Sequence, residues 1–183
     1  MSTVSLTLDE IFELAKKTLL ANGCDDETAS TLSDLIRNAE RDGSLSHGLF
    51  RLPAYVSGLK SGKINGKGKP EVQKVSPSVI KVKGNNCLAP VVLSKGLPEL
   101  AKAAKENGVA VLAINNSHHM AAMWPETEKL AEEGLVAFAC TSYKPAVAPA
   151  GAIKPLFGTN PISFAWPRPG KTPVVYDMAT ASM

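Results

Sequence analysis

Val109-Ala-Val-Leu-Ala-Ile114 is an unbroken apolar run set between Gly108 and the polar string Asn115-Asn-Ser-His-His119. A short apolar run between chain breakers reads as a strand buried on both faces, the pattern of an α/β sheet. The polar string then falls as a loop at the strand's carboxyl end, where open α/β sheets bind their ligands. Downstream, residues 120–133 carry a helical pattern closed by Gly134, and Leu135-Val-Ala-Phe-Ala-Cys140 is a second apolar run. Strand, helix and strand together predict a βαβ unit, so the fold class is α/β. Residues 162–166 and 174–176 predict further strands. Residues 143–161 are rich in Pro, Gly and Ala without a period, and long irregular stretches in compact proteins usually serve function.

Upstream of this unit the pattern is helical. Thr7-Leu8-Asp9-Glu10 is a capping box, a hydroxyl at the N-cap and a carboxylate three residues on. Leu8, Ile11, Phe12, Ala15 and Leu19 then form one apolar stripe, and Gly23 ends the helix. A second helix opens at Asp25-Asp26-Glu27, whose carboxylates suit the positive end of a helix dipole. It buries Ala29, Leu32, Leu35, Ile36 and Ala39 and stops at Gly43. A third helix is expected over 47–61, with Ser46 as its N-cap. Residues 63–70 are basic and Gly-rich but match neither nucleotide-binding glycine pattern, and read as a surface turn. Two β-prone runs, 72–75 and 79–82, flank Ser76-Pro77-Ser78, and a helix over 93–107 leads to Gly108. No internal repeat is visible.

Composition narrows the function. A chain of 183 residues fits one large domain or part of a larger protein. Twenty Lys+Arg against 17 Asp+Glu leave a formal charge of +3, without the basic stripe that nucleic acid requires. Aromatic residues are only 5%, too few for base stacking. No apolar run approaches the roughly 20 residues of a membrane span, and the N-terminus does not read as a secretory signal. Three scattered cysteines, Cys24, Cys87 and Cys140, fit neither a disulfide framework nor zinc spacing. They read as free, buried thiols in a reducing cytoplasm. The final residues, 174–183, read as a strand running into a loop rather than a finished end.

All three histidines fall where a loop meets a helix. His47 follows Ser46, and Arg51 lies four residues on, one helical turn away. Imidazole, guanidinium and the unpaired N–H groups of a helix start would converge there. Arginine holds a carboxylate through two parallel hydrogen bonds, and histidine transfers protons near neutral pH. Arginines number four against 16 lysines, which singles out Arg51. The competing reading is a capped helix with an exposed His and Arg. His118-His119 lies at the strand end and reads as a loop touching cofactor or substrate, or as plain loop polarity. A zinc site there would need a third ligand that the spacing does not supply. Small and soft residues after it, Met120-Ala-Ala-Met123, would let a phosphate or ribose approach the helix start. Gly158-Thr-Asn-Pro161 is a polar turn, and Asp177, at a strand end, could bind a ribose hydroxyl or cap a following helix.

Glu40-Arg-Asp-Gly-Ser-Leu-Ser-His-Gly-Leu-Phe-Arg51, Asn116-Ser-His-His-Met-Ala-Ala-Met-Trp-Pro125, Phe157-Gly-Thr-Asn-Pro161 and Asp177-Met-Ala-Thr180 occur in this order in the non-Rossmann malate/L-lactate dehydrogenase family. The chain resembles that family along its whole length. The Glu-Arg-Asp-Gly-Ser lead-in and the Ser-His-His-x-Ala-x-Trp-Pro segment look most like the Δ1-piperideine-2-carboxylate/Δ1-pyrroline-2-carboxylate reductases, which reduce cyclic imino acids with NADPH.

The resemblance implies a malate/L-sulfolactate dehydrogenase-like fold, a mixed sheet flanked by helices with a helical N-terminal region, and a homodimer. It implies His47 as proton donor, Ser46 as its relay partner, and Arg51 and Thr159 as substrate contacts. His119, Met120, Ala121, Ala122, Met123, Trp124, Asp177, Met178 and Ala179 would touch NADPH, or NADH, and no metal is needed. Residues 1–70 would be the helical region carrying the proton donor and substrate arginine. Residues 71–183 would begin the dinucleotide-binding α/β domain. The chain would be the N-terminal half of the enzyme, with further cofactor contacts and an acidic relay residue beyond position 183. Reduction of malate- or lactate-type keto acids on the same fold, or a non-catalytic protein held by dimer contacts, are the alternatives.

Overall fold

A computed structural model describes residues 4–118 and 121–181. It divides into two compact units, Met1–Ala121 and Ala122–Met183.

The first unit opens with helices. α1 (Leu8–Ala21) has the expected capping box: the Glu10 N–H donates to Thr7 Oγ1, and the Thr7 N–H donates to the Glu10 carboxylate at 2.8 Å. Its buried stripe is Ile11, Ala15 and Leu19, while Leu8 stays exposed. α2 (Asp26–Arg41) is capped by Asp25, which accepts from the Thr28 N–H, and it buries all five residues predicted for its face. The buried residues of α1 and Ala29, Leu32 and Ile36 of α2, with Leu52, Tyr55, Ile64 and Leu88, form one apolar core. Gly43 takes a left-handed φ of 74°, a conformation that costs glycine little. The expected third helix is shorter than its pattern: two 3₁₀ turns, Leu45–His47 and Leu49–Arg51, precede α3 (Leu52–Lys60). Ser46 therefore lies inside a 3₁₀ turn and does not cap a helix.

β1 (Glu71–Ser76) and β2 (Val79–Leu88) form an antiparallel hairpin, and β2 pairs in parallel with β3 (Val111–His118). The crossover between β2 and β3 is α4 (Ala89–Asn107), which starts earlier than expected, with Pro in its first turn. Gly96 lets α4 approach Leu112 and Val82 more closely than a Cβ would allow. This mixed sheet is the one the sequence resemblance implied, but two details differ. The polar string after Ile114 continues the strand: Asn115 pairs with Lys83, and, past an irregularity, Ser117 and His118 pair with Cys87 and Leu88. Asn85 and Asn86 take positive φ within that irregularity. Polar side chains do not stop a strand whose backbone has a partner. Nor is β3 buried on both faces. Leu112 and Ile114 pack into the second core, with Ile80, Val82 and Val92, whereas Val111 and Ala113 are exposed.

The second unit holds α5 (Trp124–Glu132) and an antiparallel sheet of β4 (Ala137–Cys140), β5 (Ile162–Arg168) and β6 (Lys171–Met178). The predicted βαβ unit of the 109–140 region is thereby corrected. β4 pairs with β5, not with β3, and the parallel crossover lies one element earlier, at β2–α4–β3. Periodicity identifies a strand but says nothing about its partner. Under α5, Thr127 Oγ1 and Ser163 Oγ meet at 2.7 Å, and the Ser163 hydroxyl donates to the Tyr176 carbonyl. The buried hydroxyls are thus satisfied. Cys24 and Cys87 are buried thiols as expected, but Cys140, on edge strand β4, is exposed. No helix among the described residues is long and apolar enough to cross a membrane.

Candidate active site

In the first unit, the turn from α2 to α3 is fixed by backbone hydrogen bonds. The Ser44 N–H donates to Ala39 O, the His47 N–H to Ser44 O, the Gly48 N–H to Leu45 O and the Arg51 N–H to Gly48 O. Glu40, at the end of α2, reaches forward to accept from the Leu49 N–H at 2.7 Å. A Cβ at Gly48 would collide with that carboxylate, so a larger residue here would force the Glu40 side chain to move. The expected cluster of unpaired N–H groups is therefore corrected: the groups at 47, 48, 49 and 51 all have partners. Two consecutive 3₁₀ turns spend them internally, and the one charge-assisted contact goes to Glu40.

The side chains carry what remains. His47 Nδ1 lies 3.0 Å from Ser46 Oγ and 3.3 Å from Ser44 Oγ. Ser46 and His47 are thus adjacent as expected. Ser44 was not singled out in the sequence, although its position three residues before His47 places it on the same side of a tight turn. Arg51 is half-buried, and its Nε is buried without a hydrogen-bond partner among the described residues. A buried guanidinium N–H left unmet is costly, and a planar anion is the partner that its geometry suits best. Tyr55, one turn further on, is buried in the core beside it. Burial pushes the Tyr55 phenol up to about 12, against the opposing pull of the Arg51 charge.

The residues predicted to touch a dinucleotide fall partly outside this unit. His119 and Met120 lie outside the described residues. Ala121 is half-buried, Ala122 and Met123 are buried, and Trp124 starts α5. Asp177 lies in β6, and its Oδ2 accepts from the Met123 N–H at 2.6 Å and from the Trp124 N–H at 3.0 Å. The sequence left it a ribose hydroxyl or the cap of a following helix; instead it caps α5, the helix that precedes it in the chain. Met178 and Ala179, immediately after, are exposed. The N-terminus of α5 is thus already occupied by a carboxylate and does not offer these two N–H groups to a phosphate.

Thr159 sits in a turn of the same unit. Its carbonyl accepts from the Thr180 N–H and hydroxyl, at 2.9 and 3.0 Å. Asn160 takes a φ of 40° and accepts from the Tyr143 N–H. A Cβ on Gly158 would strike the Tyr143 carbonyl. The irregular 143–161 segment closes on itself through paired backbone contacts between Val147 and Phe157. Among the described residues, no three His, Cys, Asp or Glu side chains gather as a metal site would require.

The sequence pattern of malate/L-lactate dehydrogenases matches residues 6–183. The chain belongs to the malate/L-lactate dehydrogenase family. Its family and its named relatives are dehydrogenases and reductases, that is, oxidoreductases. The chain is 41% identical over 181 residues to a Δ(1)-pyrroline-2-carboxylate/Δ(1)-piperideine-2-carboxylate reductase of Pseudomonas syringae pv. tomato, covering 99% of this chain and 53% of that protein. It is 42% identical over 182 residues to the Pseudomonas putida protein of the same name, covering 53% of it. The crystal structure of Δ1-piperideine-2-carboxylate reductase from Pseudomonas syringae superposes with a TM-score of 0.94 over 99% of this chain and 55% of that one. Malate dehydrogenase from Pyrococcus horikoshii superposes with 0.90 at 33% identity, over 97% of this chain and 51% of that one. The chain spans about half the length of the relatives it matches.

Proposed function

We propose that this chain carries the substrate-holding and proton-donating part of an NADPH-dependent reductase of cyclic imino acids. Such an enzyme converts Δ1-piperideine-2-carboxylate to L-pipecolate and Δ1-pyrroline-2-carboxylate to L-proline. The supporting observation is the buried Arg51 Nε, without a hydrogen-bond partner among the described residues, one 3₁₀ turn after an imidazole whose Nδ1 is engaged by serine hydroxyls. The names of the relatives near 40% identity agree with this reading.

The roles follow from the chemistry. Arg51 binds the carboxylate common to both imino acids through paired N–H donors. This fixes the ring so that the C=N bond presents one face. His47, held through Nδ1, offers Nε2 as the donor of the proton that the ring nitrogen gains. Thr159 lines the substrate. Ala121–Trp124 and Met178–Ala179 meet the dinucleotide, and Asp177 acts on it indirectly, by fixing the start of α5. NADPH, when bound, supplies the hydride that the imine carbon accepts. One imine, one hydride and one proton give one secondary amine. The protein would act as a cytoplasmic homodimer.

The test is NADPH oxidation by the protein expressed from its source gene. Faster turnover of Δ1-piperideine-2-carboxylate than of oxaloacetate or pyruvate supports the reading. Turnover of the keto acids alone would replace it with a 2-hydroxy-acid dehydrogenase using the same His47 and Arg51.

A further inference from the structure

We propose that Ser44 is a positioning residue for His47. On this proposal it is a second hydroxyl that shares the imidazole Nδ1 with Ser46 and holds the ring as its protonation changes. The inference rests on the reading of His47 as proton donor.

Three observations carry it. First, two hydroxyls, not one, converge on a single ring nitrogen, at 3.0 Å from Ser46 and 3.3 Å from Ser44. Second, they differ in setting: Ser46 is exposed and Ser44 half-buried. Ser44 is also fixed at both backbone groups, its N–H donating to Ala39 O and its carbonyl accepting from the His47 N–H, each at 2.8 Å. Ser44 is therefore anchored to the end of α2, whereas Ser46 rides on the turn. Third, the rest of the turn is braced independently by Glu40 on the Leu49 N–H, so loss of the Ser44 hydroxyl leaves the backbone path intact.

A hydroxyl both donates and accepts. When His47 is imidazolium, its Nδ1–H donates to the serine oxygens. After Nε2 has given its proton to substrate, Nδ1–H goes on donating to the same oxygens. In the other neutral tautomer, with Nε2–H, one serine O–H donates to the Nδ1 lone pair. The hydrogen bonds are strongest to the cation, so each hydroxyl favours the charged, proton-donating form. The charged residues nearest His47 in the chain are Glu40, Arg41 and Asp42 at the end of α2 and Arg51 on the following turn. Arg41 and Asp42 pair with each other, and Glu40 is held by Leu49. Ser44 and Ser46 place neutral hydroxyls at Nδ1.

The test has two readouts. In the first, His47 ring protons of the 183-residue chain are followed by NMR across pH, identified by their loss in His47→Asn. Ser44→Ala is expected to lower the titration midpoint by about half a unit, and Ser44→Ala/Ser46→Ala by about one unit, since a hydrogen bond to the charged form favours it. Ser44→Thr, which keeps the hydroxyl, restores the wild-type midpoint. An unchanged midpoint in Ser44→Ala, with the amide spectrum otherwise native, overturns the proposal, as does a midpoint that Ser44→Thr fails to restore. In the second readout, the pH–rate profile of imine reduction by the protein from its source gene is compared for the same variants. Its high-pH limb is expected to move down by the same amount in Ser44→Ala. A shifted titration with an unmoved profile would overturn the assignment of His47 as proton donor while leaving the hydroxyl pair standing.

Discussion

At residues 44–51 and again at residues 122–124 the chain enters a helix through a turn flanked by polar and charged side chains. In sequence both read as places where a helix start meets an anion. In the structure they are opposites. At the second turn the anion is internal: Asp177 takes the Met123 and Trp124 N–H groups, and the positive end of α5 is satisfied by the protein itself. At the first turn the backbone is satisfied, by 3₁₀ bonds and Glu40, while the side chain of Arg51 keeps a buried N–H unmet among the described residues. Capacity left over, rather than charge present, separates a site from a structural contact. On the proposed reading the Arg51 side chain at the first turn takes up a ligand, whereas Asp177 at the second fixes the start of α5.

That difference is sharpest when each turn loses its central group. His47→Asn should lower kcat for imine reduction by about 10²–10⁴, the usual value of a positioned general acid, with little change in melting temperature. Steady-state kinetics and thermal melts on the same preparations check this. Asp177→Ala should do the reverse to the fold. It removes a charged cap from α5 and costs about 1–2 kcal/mol, a drop of about 2–8 °C for a chain of this size. Circular dichroism melts read it. A His47 variant that melts early while the Asp177 variant melts normally would break the comparison.

Smaller effects probe the braces. Gly48→Ala pushes a methyl group into the Glu40 carboxylate and should cost about 1 kcal/mol through loss of the Leu49 contact, together with a rise in KM. Urea unfolding with substrate titration separates the two. Least affected should be the ion-pair network at the other end of α2. Burial pushes the Asp25 carboxyl up, but the Thr28 N–H and hydroxyl and Lys69 outweigh it, and its net shift is downward. Glu27 is lowered chiefly by its hydrogen bond from Lys95. Carboxylates lowered on folding stabilise the native state above their unfolded range near pH 4, and that stability is lost as pH falls through the folded values. These groups are largely solvated, so the loss should be within about 1 kcal/mol, read as a fall in melting temperature between pH 5 and pH 3 in low salt.

The sequence carried the helical frame well because caps and 3.6-residue stripes are local. Thr7, Asp25 and the buried face of α2 all stand where the pattern put them. It carried Ser46, His47 and Arg51 as a group because they share one turn. What it missed was non-local. Nothing in the apolar run of β4 says that its partner is β5, and nothing in Asp177 says that the N–H groups it caps lie 54 and 53 residues away. Ser44 and Glu40 went unread for another reason. Their roles depend on two 3₁₀ turns replacing the first turns of the expected helix, a change in backbone path that side-chain spacing does not encode.

The central claim is that Arg51 holds the carboxylate of a cyclic imine while the His47 turn protonates its nitrogen. It is tested most directly by comparing kcat/KM for Δ1-piperideine-2-carboxylate and for Δ1-piperideine, which lacks the carboxylate, in wild-type protein and in Arg51→Ala. Wild-type should favour the carboxylated imine by about 10² or more, the value of a buried charge-assisted pair. Arg51→Ala should erase that preference by slowing only the carboxylated substrate. A preference that survives Arg51→Ala undiminished would contradict the account.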